Sequence, residues 1–123
     1  QDLAIRTQIH TWMAAISANL GPAFAGQFWF TTLASRRIEM VIDRFVSEAH
    51  RGLRALDQRL SDFEYIAGNE YTIADIHAYP VAATSAIRLE GQLEPYQNIR
   101  RWADSIGERS AVKRGMALFS ETN

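Results

Sequence analysis

The sequence lacks cysteine altogether, so residues 1–123 can form no disulfide, no zinc–thiolate site and no cysteine nucleophile. Thirteen basic and fourteen acidic side chains nearly cancel, which gives no bulk attraction to nucleic acid or to an anionic membrane. No apolar run approaches the roughly 20 residues of a membrane span, and the first residues do not resemble a signal peptide. We therefore expect a cytoplasmic protein without nucleic-acid or membrane partners.

Length and composition indicate a single globular domain over residues 1–123. That length is enough for one hydrophobic core but not for two. Hydrophobic residues make up 47% and charged residues 22%, a balance that argues against disorder. The first residue is Gln1 rather than methionine, and helical periodicity begins almost at once. We therefore expect the chain to be part of a longer protein.

Two long helices are predicted in the first half of the chain. The first carries one apolar stripe, formed by Ile5, Ile9, Trp12, Met13, Ile16 and Leu20. A kink or break is expected at Gly21-Pro22, since Pro22 lacks an N–H and disfavours the α conformation in the residue before it. The second helix is predicted from about Thr32 to Leu60. At about 40 Å it is long for a domain of this size, so part of it is expected to face a partner chain.

Three shorter helices are predicted after a connection from Ser61 to Tyr71. The first contains Pro80, which should kink it, and an apolar stripe of Ile73, Ile76, Tyr79, Ala83 and Ile87. The next has Pro95 in its first turn and an apolar stripe of Ile99, Trp102 and Ile106. The last runs from about Ser110 to Phe119. The prediction is an all-α bundle of about five helices: two long antiparallel helices, a capped and kinked core helix, and two short closing helices.

The start of the central helix carries a capping box. Thr72 is the expected N-cap: its hydroxyl accepts from the N–H of Asp75, and the Asp75 carboxylate accepts from the N–H of Thr72. Tyr71 and Ile76 occupy the positions of a hydrophobic staple. The carboxylate also lies in the first turn, where the helix dipole favours negative charge. This structural role explains Asp75 better than a catalytic role.

The residue types by themselves offer no catalytic centre. The histidines at positions 10, 50 and 77 lie far apart without an acid at metal-ligand spacing, so we expect no metal site. No phosphate-binding loop or nucleophile elbow occurs. The aromatic segment 23–30 has two open interpretations, a helix end packed into the core or the wall of a ligand pocket. The charged residues of the second helix are typical of a solvated face.

Three motifs follow one another at the centre of the chain: Leu56-Asp57-x-x-Leu60, Tyr65-Ile66-Ala67-Gly68 and Tyr71-Thr72-Ile73-Ala74-Asp75-Ile76. Near the end comes Tyr96-x-Asn98-Ile99-x-Arg101-Trp102-x-x-x-Ile106-x-x-Arg109-x-Ala111-Val112. In this order they resemble the C-terminal domain of glutathione transferases, with Ser110 where the family usually has proline. Tyr79-Pro80 resembles bacterial members of the family, and Trp12 through Gly21-Pro22 and Ile42-Asp43-Arg44-Phe45 resemble the bacterial nu-class group. The resemblance covers nearly the whole chain.

The resemblance implies a two-domain enzyme of which this chain is the helical half. A thioredoxin-like domain of roughly 80 residues, absent from this chain, would bind most of the glutathione and assist its thiolate. The helical half would form the electrophile-binding wall and much of a homodimer interface. The enzyme would use the glutathione thiolate to conjugate apolar electrophiles or to reduce disulfides or peroxides. Glutathione is the expected co-substrate, with no metal and no catalytic residue on this chain.

Candidate binding residues follow from the resemblance by position. Those placed beside the electrophile pocket are Met13, Ile16, Leu20, Gly21 and Phe24. Gly21 and Pro22 stand where beta-class relatives carry a histidine and a lysine, which favours the nu-class interpretation. Asn19 stands where the beta-class group has an acid that reaches the partner subunit's glutathione.

Arg44 matches an arginine of the nu-class group that lies near glutathione. A guanidinium suits a carboxylate of the tripeptide through a two-point hydrogen bond, and a solvated arginine is the alternative. The domain as a whole also has an alternative function, that of a non-catalytic interaction module. Helical domains of this family occur in translation factors and synthetase-associated proteins, where they hold complexes together.

Overall fold

The computed structural model describes the backbone of residues 2–88 and 94–120 and the side chains of residues 2–82 and 94–118. Within these ranges no strand forms, apart from an isolated bridge between Tyr65 and Gly68. The described backbone makes five helical stretches joined by short connections. The predicted all-α bundle is therefore confirmed.

The first helical stretch runs without a break from residue 3 to residue 33, and we call it the first arm. It consists of α1 (Leu3–Ala15), a π-helical turn (Ile16–Leu20), α2 (Gly21–Phe28) and a second π-helical turn (Trp29–Leu33). Pro22 lies at the start of α2, where a missing N–H does least harm. A widened turn therefore takes the place of the break that Gly21-Pro22 could have caused.

The second long helix, α3 (Glu39–Asp62), starts later than the sequence predicts. Ala34 and Ile38 are extended, with ψ of 138° and 97°, so the chain leaves the helix between the first arm and α3. Thr32 belongs to the second π-helical turn instead. The predicted start at Thr32 is wrong because a connection is needed there to bring the two long helices side by side.

The first arm and α3 run antiparallel, as predicted. Three contacts pair them in opposite chain order: Phe30 with Phe45, Leu20 with Gly52, and Trp12 with Arg59. The approach is close at Gly52, since a Cβ added there would lie 2.8 Å from the Leu20 side chain. Glycine at this position therefore lets the two helices approach each other closely.

The remaining helices are α4 (Ile73–Arg88), α5 (Gln97–Gly107) and α6 (Ser110–Ser120). The α4 helix continues through Pro80, and α6 starts at the predicted residue. The N-cap of α5 is Tyr96, so Pro95 precedes the helix and does not lie in its first turn. This short shift leaves the apolar stripe of α5 in place.

The hydrophobic core is formed by the first arm, α3, α4 and α5, together with Ile66 and Ala67 of the connection. In α5 the predicted stripe is buried, with Ile99, Trp102 and Ile106 at most 1% exposed. In α4 the predicted stripe is wrong at its start, because Ile73 and Ile76 are 55% and 53% exposed. The buried face of α4 consists of Ala74, Asp75, Ala78 and Ala82. Small side chains let α4 pack closely in the middle of the domain. The other two residues of the predicted stripe, Ala83 and Ile87, lie outside the described side chains.

Candidate functional site

Asp75 is completely buried and connects three parts of the domain. Its Oδ1 accepts hydrogen bonds from the backbone N–H of Ile66 at 3.0 Å and from the indole N–H of Trp102 at 2.8 Å. Its Oδ2 accepts from the backbone N–H of Thr72 at 2.9 Å, which is one half of the expected reciprocal pair. The other half was expected between the Thr72 hydroxyl and the N–H of Asp75. In the structure this hydroxyl accepts from the N–H of Ala74 instead, at 3.2 Å. The carboxylate is therefore surrounded by donors from the protein itself.

The two residues of the expected staple, Tyr71 and Ile76, line the same surface cavities. The Tyr71 ring packs edge-on against Tyr65, with centroids 6.0 Å apart, and lies 3.7 Å from the Arg109 guanidinium carbon. Ile76 is 53% exposed. Tyr71 is thus held by a neighbouring turn and by the segment before α6.

Asp57 forms a second capping interaction. The residue is part of the Leu56-Asp57-x-x-Leu60 motif, but the motif did not show what its side chain does. Its Oδ1 accepts from the backbone N–H groups of Asn98 and Ile99, both at 3.0 Å, and its Oδ2 accepts from the Asn98 amide at 3.0 Å. The N-cap residue of α5, Tyr96, makes no side-chain capping bond of its own. An acid on α3 therefore caps the N-terminus of α5.

A cavity of about 230 Å³ lies between the first arm and α3, and three of the candidate residues line it. Ile16 and Leu20 are 3% and 4% exposed and form part of its apolar wall. Asn19 is exposed and donates from its amide to the Ala15 carbonyl at 3.0 Å. Glu48 and Arg51 of α3 also line the cavity and form an ion pair at 3.1 Å. An apolar wall with a few polar groups is typical of small-molecule sites.

The other candidates on the first arm lie outside this cavity. Phe24 is 3% exposed and belongs to the core, and Met13 packs against the core from the edge. Gly21 is half-buried at the start of α2. The aromatic segment is thus divided, because Phe24 lies in the core whereas Phe28 and Trp29 are exposed.

Arg44 lies on the outer surface of α3. Its side chain is 74% exposed, and its guanidinium is 3.9 Å from the Glu48 carboxylate. Glu48 also pairs with Arg51, so one carboxylate is shared by two guanidinium groups. Exposed ion pairs of this kind contribute little to stability, and the Arg44 guanidinium faces solvent.

Two histidines make hydrogen bonds between elements that are distant in sequence. His77 Nε2 on α4 lies 2.8 Å from the Ser17 hydroxyl in the first π-helical turn. His50 Nδ1 on α3 lies 2.7 Å from the Tyr96 hydroxyl. Burial raises the pKa of Tyr96 above its usual value of 10.0, with Arg54 acting in the opposite direction. No motif pointed to the Ser17–His77 pair because only the packing of the first arm on α4 brings the two together.

Exposed apolar residues cluster in sequence around the connection between the first arm and α3. We call this group the apolar end: Phe28, Trp29, Leu33, Ile38 and Met40. Trp29 is 54% and Met40 79% exposed. Large exposed apolar groups next to one another are typical of contact surfaces.

The described part of the chain contains no group of three or more histidine, aspartate or glutamate side chains placed to hold a metal ion. No described helix is both long and apolar enough to cross a membrane.

The helical bundle is of the type found in glutathione S-transferases. Residues 39–105 match the family model of the glutathione S-transferase C-terminal domain. The chain belongs to this family.

Several relatives are similar over nearly the whole chain. The disulfide-bond oxidoreductase YghU of Escherichia coli is 38% identical, over 100% of this chain and 44% of that protein. A crystal structure of a glutathione transferase from Burkholderia graminis, with two glutathione molecules bound per subunit, matches 94% of this chain and 50% of its own. Its TM-score is 0.85 at 31% identity. YghU from Streptococcus pneumoniae, complexed with glutathione, has a TM-score of 0.85 at 32% identity, over 94% of this chain and 47% of its own. The chain thus spans about half the length of the relatives that it matches.

Proposed function

We propose that this chain is the helical half of a glutathione-dependent enzyme that reduces disulfides or peroxides, or conjugates apolar electrophiles. A thioredoxin-like domain outside residues 1–123 binds most of the glutathione and assists its thiolate. The chain has no cysteine, so residues 1–123 supply no attacking thiol. In the proposed enzyme that thiol is glutathione's. The similarity to a disulfide-bond oxidoreductase over the whole chain favours reduction over conjugation.

The observation that carries this proposal is the cavity between the first arm and α3. It brings Ile16, Asn19 and Leu20, which are separate in sequence from Glu48 and Arg51, into one lining. An apolar wall orients the second substrate and excludes water from the reacting sulfur. Asn19 at the rim is suited to a polar group of glutathione, and Arg44 to a carboxylate.

A homodimer is part of the proposal. The apolar end presents Trp29 and Met40 to solvent, and a second copy would bury them. The remaining candidates for the electrophile wall are Met13, Gly21 and Phe24, next to the cavity-lining residues on the first arm. The cellular location of the proposed enzyme is the cytoplasm, where glutathione is the principal thiol buffer.

The test is retention of the full-length protein on immobilised glutathione. We expect it to be retained, to elute with free glutathione, and to catalyse glutathione-dependent reduction of a small disulfide. A full-length protein that passes through the resin and reduces no disulfide or peroxide would support the interaction module instead. The apolar end is the observation that favours this second candidate, because it offers a surface for another protein.

A further inference from the structure

We propose that the rim of the cavity between the first arm and α3 binds the charged head group of an α-amino acid. In this subsite the ammonium group contacts the Glu48 carboxylate, and the carboxylate contacts the Arg51 guanidinium and the Asn19 amide. All three side chains line the cavity. The inference rests on the proposed function and adds the class of chemical group that this cavity accepts.

The charges at the rim are opposite in sign and adjacent. Among the described residues that line the cavity, Glu48 and Arg51 are the charged ones, and Arg51 Nη2 lies 3.1 Å from Glu48 Oε2. A ligand with a single negative charge would meet the carboxylate of Glu48, and one with a single positive charge would meet the guanidinium of Arg51. A zwitterion presents a charge of the opposite sign to each of them. The rim therefore suits a group that carries both charges close together.

The polar side chains of the rim have bonding capacity for such a group. Glu48 Oε1 lies 3.9 Å from the Arg44 guanidinium, which is beyond hydrogen-bond distance. A guanidinium carries several N–H donors in one plane, which suits it to a second carboxylate. The Asn19 amide donates to the Ala15 carbonyl at 3.0 Å, and it has a second N–H for a ligand.

The burial of the ion pair distinguishes it from other ion pairs on the surface. The Glu48 side chain is 35% exposed. The acids of three other described ion pairs are 65–80% exposed: Arg37–Glu39, Arg100–Glu94 and Lys113–Glu108. Glu48 is also next to the apolar wall of the cavity. A charge beside apolar groups interacts more strongly with a bound charge than a charge in open water does.

The size of the cavity fits one end of a substrate. Its volume is about 230 Å³, below the roughly 300–1,000 Å³ of pockets that enclose a drug-sized ligand. Ile16 and Leu20 in its wall are 3% and 4% exposed. This wall suits the short carbon chain that links a head group to sulfur. The subsite thus favours disulfides built from amino acids over purely apolar electrophiles.

Two reactants of the proposed enzyme carry this head group. It occurs in disulfides of the cystine type and at the γ-glutamyl end of glutathione. Since the proposed thioredoxin-like domain binds most of the glutathione, we expect the disulfide to be the source. One series of substrates tests each source.

The first experiment uses the full-length enzyme, glutathione and four disulfides of similar length. Cystine carries both charges, cystamine the ammonium group, dithiodipropionate the carboxylate, and bis(2-hydroxyethyl) disulfide neither. In Glu48→Gln we expect kcat/KM to fall about fivefold or more for cystine and cystamine. In Arg51→Gln we expect the same loss for cystine and dithiodipropionate. The remaining disulfides should lose less than about twofold.

Each variant is compared with the wild-type enzyme on the same disulfide, so differences in intrinsic reactivity cancel. The matched controls are Arg36→Gln and Glu64→Gln. Both residues are exposed and neither lines the cavity, so kcat/KM should stay unchanged for all four disulfides.

The second experiment keeps bis(2-hydroxyethyl) disulfide as the substrate and varies the thiol. Glutaryl-cysteinylglycine lacks the ammonium group of glutathione, and γ-aminobutyryl-cysteinylglycine lacks its α-carboxylate. If the head group of glutathione occupies the subsite, Glu48→Gln removes the difference between glutathione and the glutaryl analogue. Arg51→Gln then removes the difference between glutathione and the aminobutyryl analogue. If the disulfide occupies the subsite, these differences are the same in the wild-type enzyme and the variants.

A charge-matched pattern in either series supports the subsite and identifies its source. Equal losses for all four disulfides, or no loss, together with unchanged differences between the thiols, would overturn the subsite and leave the proposed function intact. A full-length protein that reduces no disulfide with glutathione would overturn both. Circular dichroism of each variant checks its folding. The Arg51 side chain is 70% exposed, so Arg51→Gln tests the subsite even where Glu48→Gln unfolds the protein.

Discussion

The Trp102 indole N–H donates to Asp75 Oδ1 at 2.8 Å, which joins α5 to the first turn of α4. The same oxygen accepts from the backbone N–H of Ile66 at 3.0 Å, so the turn before α4 is tied to the same carboxylate. Asp75 and Trp102 are both completely buried. If the carboxylate were removed, no water could take its place as the acceptor for the N–H groups of Ile66 and Trp102.

Replacing Asp75 should cost much more stability than an ordinary helix cap. A capping box alone predicts a loss of about 1 kcal/mol, and we expect about that for Thr72→Ala. Asp75→Ala leaves the buried N–H groups of Ile66 and Trp102 and the half-buried N–H of Thr72 without an acceptor, so we expect a loss of at least about 3 kcal/mol. Urea denaturation measures both, and the double variant should lose less than the sum. A loss in Asp75→Ala no larger than in Thr72→Ala would show that the Ile66 and Trp102 bonds contribute little.

Removal of Asp57 should loosen α5. Its carboxylate accepts from the backbone N–H groups of Asn98 and Ile99 at the start of that helix. We expect Asp57→Ala to lower the free energy of unfolding by about 2 kcal/mol and to increase amide exchange in the first turn of α5. Asp62→Ala, at the exposed end of α3, is the control and should change stability by less than about 0.5 kcal/mol. Unchanged exchange at Asn98 and Ile99 would argue against the capping role.

Two glycines in helices should respond to alanine with opposite signs. A Cβ at Gly26 would lie 2.4 Å from the Phe45 ring, whereas one at Gly115 meets nothing within 4 Å. We expect Gly26→Ala to destabilise by about 1–3 kcal/mol through overpacking. Gly115→Ala should stabilise by up to about 1 kcal/mol, because alanine favours the helix. Thermal denaturation compares the two, and Phe45→Leu should restore part of the loss in Gly26→Ala.

Arg44 should affect glutathione binding rather than folding. Its side chain is 74% exposed and its ion pair with Glu48 is long, at 3.9 Å, so Arg44→Ala should change stability by less than about 0.5 kcal/mol. In the full-length enzyme we expect the KM for glutathione to rise about tenfold, the loss of one charge-assisted contact. Arg36→Ala, in the connection before α3, is the matched control. A KM that stays at the wild-type value would remove Arg44 from the site.

Tyr96 should make the domain sensitive to alkaline pH. Burial raises the pKa of its hydroxyl above 10.0 in the folded chain, so the unfolded chain loses this proton first. The contribution of the protonated hydroxyl to the free energy of unfolding is fully present below about pH 10. It is lost as the pH rises through the pKa of the folded chain. Tyr96→Phe removes this titration, although it also removes the hydrogen bond to His50. We therefore expect wild-type stability to fall towards that of Tyr96→Phe above pH 10, and parallel curves would contradict the assignment.

The sequence predicted the elements whose signals are local. The apolar stripe of α5 and the start of α6 follow from periodicity, and the capped start of α4 follows from Thr72 and Asp75. The connection 34–38 was missed because it contains neither glycine nor proline, while apolar residues continue at helical spacing on both sides of it. The exposed Ile73 and Ile76 were missed because periodicity locates an apolar side chain on a helix without showing which neighbours cover it.

The candidate site divides in the same way. The family resemblance pointed to Ile16, Asn19 and Leu20 as candidates. The cavity that joins them to Glu48 and Arg51 exists only because the first arm packs on α3. The Ser17–His77 hydrogen bond likewise links residues 60 positions apart. The sequence by itself determined the helices, the family and the absence of a thiol on this chain, since these depend on residue types and short spacings. The tertiary structure decided which side chains meet, because hydrogen bonds and cavities between helices depend on the packing of distant segments.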